Sequence, residues 1–252
     1  MNANKTQCVN APPGPLITKT TISVICIGAC SSHVNYTCSI MKTEYGSNSM
    51  NTRSYRSPAR DQAADLTRSR IINAAVKILG DRSKSAKFSL EVAARAAGVT
   101  RLTIYNQFGS RRALLEAVFD DRAARGGLHR IAEAMADGNP RVGLQKLIEI
   151  FCNFWTFDAP TLGWLHGAGA FDADMSESVR ARNERRRKAL SVLVRRIAPG
   201  AGAREAAGLV DVLFALTSFH FVTELRARGR SIDDVCALIQ RIASDTLSRF
   251  VV

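Results

Sequence analysis

The chain has 252 residues, a length that suffices for one or two domains with a substantial hydrophobic core. Apolar residues make up 46% and charged residues 23%, which is typical of a globular protein. No apolar run reaches the roughly 18 residues that a transmembrane helix needs, so we expect no membrane-spanning segment. The net charge of +13 indicates a polyanionic partner, either nucleic acid or an anionic membrane surface.

Residues 1–60 differ in composition from the rest of the chain. They are rich in Thr, Ser and Asn, and they contain four of the six cysteines and no sustained helical period. We interpret them as a disordered leader. A translation start at Met41 or Met50 is an alternative. The apolar run at residues 22–30 loosely resembles a lipoprotein signal, but it is short, interrupted by Ser23 and far from the first residue.

The body of the chain, from Asp61 onward, is helical by period. Apolar residues recur there at spacings of three and four, and no strand alternation appears, so the predicted class is all-α. A first helix ends at Gly80, a short basic loop follows at residues 82–87, and Ser89 is a good N-cap for the second helix. A single helix is predicted over residues 203–228. Because the body has only two cysteines, we expect a reducing compartment, the cytoplasm.

The stretch SLEVAARAAGVTRLTIYNQFGSRRALL, residues 89–115, has the pattern of a helix-turn-helix. A helix of small residues lets a second helix approach closely, and Gly98 supplies the conformation needed at the turn. The short helix that follows presents a surface suited to the major groove, on which Leu102 can touch a thymine methyl. The side chains that it exposes are Thr100, Arg101, Leu102, Thr103, Tyr105 and Asn106.

This stretch resembles the TetR family of transcription regulators, whose pattern is A-x-x-A-G-V-[ST]-x-x-[TL]-[IVL]-Y-x-x-F-x-[SN]-[KR]-x-x-L-L. The match covers about residues 66–119. Arg111 stands where the family usually has a phosphate-binding lysine, and the long leader is a further departure. The residues that carry the resemblance are Ala94, Ala97, Gly98, Val99, Thr100, Thr103, Ile104, Tyr105, Phe108, Ser110, Arg111, Leu114 and Leu115.

The resemblance implies double-stranded DNA as the partner, with two kinds of contact. Phosphates would be contacted by Ser89, Tyr105 and Arg111. Base edges would be faced by Arg101, Leu102, Thr103 and Asn106. The 12 basic and 5 acidic residues between positions 66 and 125 agree with a phosphate-binding surface. A core role for Tyr105 and a solvated role for Arg101 are the alternatives.

Residues 151–171 are rich in aromatic side chains. In the family, the C-terminal helices form a ligand pocket and a dimer interface. The resemblance therefore implies a cavity for a small apolar or aromatic effector, with ordinary core packing as the alternative. The candidate pocket residues are Phe151, Phe154, Trp155, Trp164 and His166. The basic run at residues 185–188 is interpreted as a solvated helix face.

Together with these features, the resemblance implies a cytoplasmic, ligand-responsive, dimeric regulator that binds a palindromic operator. We expect it to be a repressor. Residues 61–115 would form a three-helix DNA-binding domain, and residues 116–252 a helical effector and dimerisation domain. The homodimer would form through residues 203–250, unless these helices only close the monomer's own core. An effector-free DNA-binding dimer is the alternative function. No catalytic constellation or phosphate-binding loop is evident, so we expect no enzyme activity, cofactor or metal.

Overall fold

The computed structural model describes residues 58–170 and 172–249, except for the side chain of Asp174. Nearly all of the predicted leader lies outside the described residues. The apolar run at residues 22–30 and the alternative start sites Met41 and Met50 lie outside them as well.

The first five helices lie between residues 58 and 125. They are α1 (Pro58–Gly80), α2 (Arg82–Ser85), α3 (Leu90–Ala97), α4 (Arg101–Phe108) and α5 (Arg111–Arg125). The short helix α2 replaces the predicted basic loop. It forms because the Asp81 carboxylate accepts a hydrogen bond from the Ser83 backbone N–H at 2.9 Å and so caps the helix start.

Seven helices and one 3₁₀ turn (Leu128–Arg130) complete the described part of the chain. They are α6 (Ile131–Ala136), α7 (Pro140–Phe157), α8 (Ala159–Ala168), α9 (Ala173–Ile197), α10 (Ala203–Leu216), α11 (Phe219–Ala227) and α12 (Ile232–Ser248). No strand occurs among the described residues, and the predicted all-α class is confirmed.

The single helix predicted over residues 203–228 is wrong, because the segment forms α10 and α11 with a break at Thr217 and Ser218. The two helices meet at a bend of 46°. The Ser218 side chain restarts the helix by accepting from the Phe221 N–H. The freed carbonyl of Thr217 accepts the indole N–H of Trp155 at 2.8 Å, so tertiary hydrogen bonding replaces the helical bond that is lost at the break.

One hydrophobic core runs through both halves of the described chain, from Ile71 in α1 to Leu247 in α12. Helix α1 packs against α3 on one side and against α8 on the other, and α5 packs against α8 and α9. Helix α5 spans the predicted boundary between residues 115 and 116. Helices α1 and α5 therefore join the two halves of the described chain.

None of the described helices is by itself both long and apolar enough to cross a membrane. Helices α10 and α11 meet that length and composition only as a bent pair.

Candidate nucleic-acid interface

Helices α3 and α4 form a helix-turn-helix whose turn is built on Gly98. This glycine has a φ of +63°, a left-handed conformation that only glycine adopts without steric cost. The buried residues of α3 are all alanines, and Ile104 of α4 is fully buried. Small side chains on α3 let α4 lie close, and the buried Ile104 fixes which face of α4 points outward.

The outward face of α4 carries large side chains that are not packed against the protein. Leu102 is 67% exposed and Tyr105 is 60% exposed. Arg101 and Asn106 are exposed beside them, and their side chains form no hydrogen bond with other described residues. Leucine is normally buried, so the exposed Leu102 is unusual. Its presence on the same face as an arginine, an asparagine and a tyrosine indicates a contact surface. The interpretation of Tyr105 as a core residue is wrong.

The three predicted contact residues Ser89, Thr100 and Thr103 have structural hydrogen bonds. Ser89 caps α3 by accepting from the Val92 N–H at 3.2 Å, and Thr100 caps α4 by accepting from the Thr103 N–H at 3.1 Å. The hydroxyls of Thr100 and Thr103 also lie 2.9 Å apart and share a hydrogen bond. These bonds order the starts of both helices, where backbone N–H groups favour a phosphate.

Arg111, the predicted phosphate contact at the start of α5, is held by the second half of the chain. Its guanidinium forms an ion pair of 2.7 Å with Asp172, just before α9. It also lies 5.7 Å from the ring of Phe88 and 6.0 Å from that of Trp164. Its side chain keeps 38% of its surface exposed, so it remains accessible from solvent.

Sequence reasoning missed Arg68 of α1, which positions the end of α4. Its guanidinium donates to the Gln107 carbonyl at 3.0 Å and lies 4.3 Å from the Phe108 ring. A cation is favoured at the C-terminal end of a helix. No pattern within residues 89–115 carries this signal, because Arg68 is 39 positions from its partner.

Residues 71–118 match the family model of bacterial regulatory proteins of the tetR family. The matched segment contains the whole helix-turn-helix, with Gly98 at its turn and the exposed face of α4. The helix-turn-helix segment of this chain is therefore similar to that of the TetR family of transcription regulators. The match supports a transcription regulator rather than an enzyme.

Solved structures of transcription regulators share the fold of this chain. A TetR-like transcriptional regulator from Rhodococcus sp. RHA1 superposes with a TM-score of 0.53 at 20% identity, over 73% of this chain and 96% of its own. Another transcriptional regulator from that organism also has a TM-score of 0.53, at 16% identity over 73% and 95%. A candidate fatty acid metabolism regulator from Clostridium perfringens has a TM-score of 0.55, at 14% identity over 73% and 99%. No curated protein matches the sequence.

A cleft of about 1020 Å³ lies between the first and second halves of the described chain. Its outer end is lined by Arg68, Gln107 and Phe108, the residues at the end of α4, and it extends inward to the aromatic cluster of α7. Four of the five candidate pocket residues line it, namely Phe151, Phe154, Trp155 and His166. The cleft therefore connects the end of α4 with the C-terminal core.

Trp164, the fifth candidate, does not line this cleft. Its ring packs edge-on against Phe88 at 5.6 Å and lies beside the Arg111 guanidinium. The expectation that it belongs to the pocket is wrong, because the helical face of α8 on which it lies points toward the DNA-binding half. Its neighbour Phe171, in the same aromatic-rich segment, lies outside the described residues.

His166 is the least solvated histidine of the cleft. Its ring lies 5.1 Å from Trp155 and 5.2 Å from Phe219, and its Nδ1 is buried with no hydrogen-bond partner. Burial, helped by the nearby His220 and Arg186, lowers the pKa of His166 to about 4. The imidazole is therefore neutral at physiological pH. No cluster of His, Cys, Asp or Glu in the described part of the chain could hold a metal ion.

Arg186 lies deep in the cleft, so the interpretation of the whole run 185–188 as a solvated face is wrong. Its side chain is 6% exposed and donates to the Thr217 carbonyl at the break between α10 and α11. Of the run, only Arg185 and Lys188 are exposed, since Arg187 is half-buried and pairs with Asp211. The helical period places Arg186 on the inward face of α9. The sequence of four consecutive basic residues did not indicate that one of them is buried.

Proposed function

We propose that this TetR-family regulator is a ligand-responsive repressor that binds a palindromic operator as a homodimer in the cytoplasm. The observation that carries the proposal is the cleft, which begins beside Gln107 and Phe108 at the end of the reading helix and ends at Trp155 and His166. A ligand in such a cleft touches both the element that reads DNA and the core that supports it. Residues 61–115 would be the DNA-binding domain, and residues 116–252 the effector and dimerisation domain.

DNA recognition would use the exposed face of α4. Arg101 and Asn106 offer the donors that recognise guanine and adenine, and Leu102 suits a thymine methyl. Tyr105 and Arg111 would bind the flanking phosphates, with Ser89 at the start of α3. Thr103 would contact a base while its hydroxyl keeps the hydrogen bond with Thr100.

The dimer would form on α10 and α12. The outward face of α10 carries small and apolar residues at helical spacing: Ala207, Gly208, Val212 and Ala215 are all exposed. Val212 is 41% exposed, and a side chain added at Gly208 would meet nothing within 4 Å. An apolar, close-packing face of this kind on a helix pair suits a four-helix bundle between two copies.

The dimer is tested by light scattering on Val212→Arg, with Val142→Arg on α7 as the control at a similarly exposed valine. We expect Val212→Arg to halve the solution mass and Val142→Arg to leave it unchanged. A monomeric wild-type protein, or two variants of the same mass as the wild type, contradicts the proposed interface.

Ligand response is tested by thermal-shift screening of small apolar and aromatic molecules, followed by DNA titration in the presence of each ligand that binds. The proposal expects a ligand that lowers DNA affinity, because coupling of about 1–3 kcal/mol is typical of such switches. Ligands that bind without changing DNA affinity, or a cleft that takes none, favour the effector-free DNA-binding dimer instead.

A further inference from the structure

Two arginines are buried in the described part of the chain, and they differ in what neutralises them. Arg122 and Arg186 are each 6% exposed. Arg122 forms ion pairs with Asp121 and, at 3.2 Å, with Asp158. Arg186 forms no ion pair with any described residue. It donates to the Thr217 carbonyl and, at 3.3 Å, to the Asn183 side chain, and its Nε has no partner.

The surroundings of Arg186 supply only partial negative charge. Its guanidinium lies 4.1 Å from the Phe214 ring, 5.6 Å from Phe151 and 6.0 Å from Trp155. The faces of these aromatic rings and the carbonyl end of α10 attract a cation, but they carry only quadrupolar or partial negative charge. Burial lowers the pKa of Arg186 to about 10, so the group is still protonated at neutral pH. A full buried charge is costly unless it is paired.

The acidic residues that line the cleft already have cationic partners. Asp120 pairs with Arg182 at 2.6 Å, and Glu116 pairs with Arg112 at 2.9 Å. Asp121 is the partner of Arg122. Arg186 therefore has no carboxylate within the described cleft that could turn toward it without breaking an existing pair.

We infer that the inner end of the cleft binds an organic anion, a carboxylate on an apolar body, with Arg186 as its charge partner. This inference rests on the proposed function and names the chemical class of the effector. The carboxylate would accept from the unpaired Nε of Arg186. The buried Nδ1 of the neutral His166, which also lies beside Trp155, would donate to the other oxygen. Phe151 and Trp155 would cover the apolar body.

Calorimetric titration of the full chain tests this with two matched pairs of probes. The first pair is 2-naphthoate and its uncharged analogue 2-naphthylmethanol, and the second is decanoate and decan-1-ol. We expect at least one carboxylate to bind tighter than its alcohol by about tenfold or more, because a buried charge-assisted hydrogen bond is gained. Equal affinities within both pairs, or no binding by either carboxylate, overturn the inference.

Variants assign the preference to Arg186. Arg186→Gln keeps a donor for the Thr217 carbonyl and removes the charge, so the carboxylate preference should disappear. Arg182→Gln is the matched control, since it removes a cleft cation that already has its own carboxylate. A preference that survives Arg186→Gln, or that is lost equally in Arg182→Gln, contradicts the assignment. If Arg186→Gln does not fold, His166→Phe takes its place, and it should weaken carboxylate binding more than alcohol binding.

DNA binding is measured separately, by gel shift. A protein that shifts DNA but shows no carboxylate preference keeps the proposed regulator function and loses the anion site. Conversely, if the carboxylate binds preferentially but does not change DNA affinity, the anion site stands and its role as the effector site is contradicted.

Discussion

The guanidinium of Arg111 lies 2.7 Å from the carboxylate of Asp172, so a side chain expected to bind a DNA phosphate is held by the residue that leads into α9. Asp172 also accepts from the Met175 backbone N–H at 3.2 Å, which places it at the cap of that helix. A DNA phosphate bound by Arg111 would compete with Asp172 for one cation. The pair would then link DNA affinity to the position of α9, which carries Arg182 and Arg186 into the cleft.

Asp172→Asn should strengthen binding to specific and random DNA alike. Asparagine keeps the helix cap but gives up the charge, and an exposed ion pair of this kind contributes up to about 1 kcal/mol, so a gain of a few-fold is expected. Fluorescence anisotropy at low salt measures it. Asp211→Asn, which removes the carboxylate paired with Arg187, is the control for net charge. Equal gains in both variants would show that only net charge matters.

Arg101→Ala should weaken binding to the operator by about 1–3 kcal/mol and relax base preference, because a base contact made by an exposed arginine is lost. Arg111→Ala should instead weaken binding to every sequence and reduce the salt slope by about 1. Titrations of operator and random DNA over a range of salt concentrations separate the two effects. The base-reading role fails if Arg101→Ala weakens both DNAs equally.

Gly126→Ala should destabilise the protein, because a Cβ there would lie 2.7 Å from the Phe154 ring and 2.9 Å from the Arg122 carbonyl. Overpacking of this kind costs about 1–3 kcal/mol, which lowers the melting temperature by about 2–10 °C in a chain of this size. Gly138→Ala is the control, since its Cβ would meet nothing within 4 Å. Equal melting temperatures for the two variants would contradict the close contact between the end of α5 and α7.

Stability should fall with acidification between about pH 6.5 and pH 4 because of His166. The pKa of this buried histidine is about 4 in the folded state and ordinarily 6.5, so only the unfolded chain takes up a proton in that window. The contribution of His166 to the free energy of unfolding is fully present above pH 6.5, is lost as the pH falls through 4, and amounts to about 3 kcal/mol. Urea titrations across this range should show a flatter pH dependence for His166→Phe. The control is His129→Gln, at an exposed histidine, which should show the pH dependence of the wild type. If the stability of His166→Phe changes with pH as steeply as that of the wild type, the burial of His166 does not cause the dependence.

The helix-turn-helix was predictable from sequence because its determinants are local. The caps at Ser89, Thr100 and Ser110 each act on a backbone N–H three residues ahead, and Gly98 takes the positive φ that the turn requires. Ile104 faces inward because the helical period of the motif places it there.

The interior of the second half was not predictable in the same way. The break at Thr217 depends on Trp155 and Arg186, which lie 62 and 31 positions away along the chain. Trp164 shares an aromatic-rich segment with Trp155, yet its side chain packs toward Phe88 rather than into the cleft. Sequence composition located the cluster, but only tertiary packing decides which aromatic rings surround the cleft.

Selection of binding sites from random double-stranded DNA tests most directly whether α4 reads a specific palindromic sequence. We predict that the full chain enriches an inverted repeat whose half-site centres lie about 34–36 Å apart, or a multiple of this, as two recognition helices of a dimer require. Selection with Arg101→Ala should lose preference at one symmetric pair of positions. Recovery of DNA without any shared sequence, or the same repeat with the same preference from Arg101→Ala, would contradict the prediction.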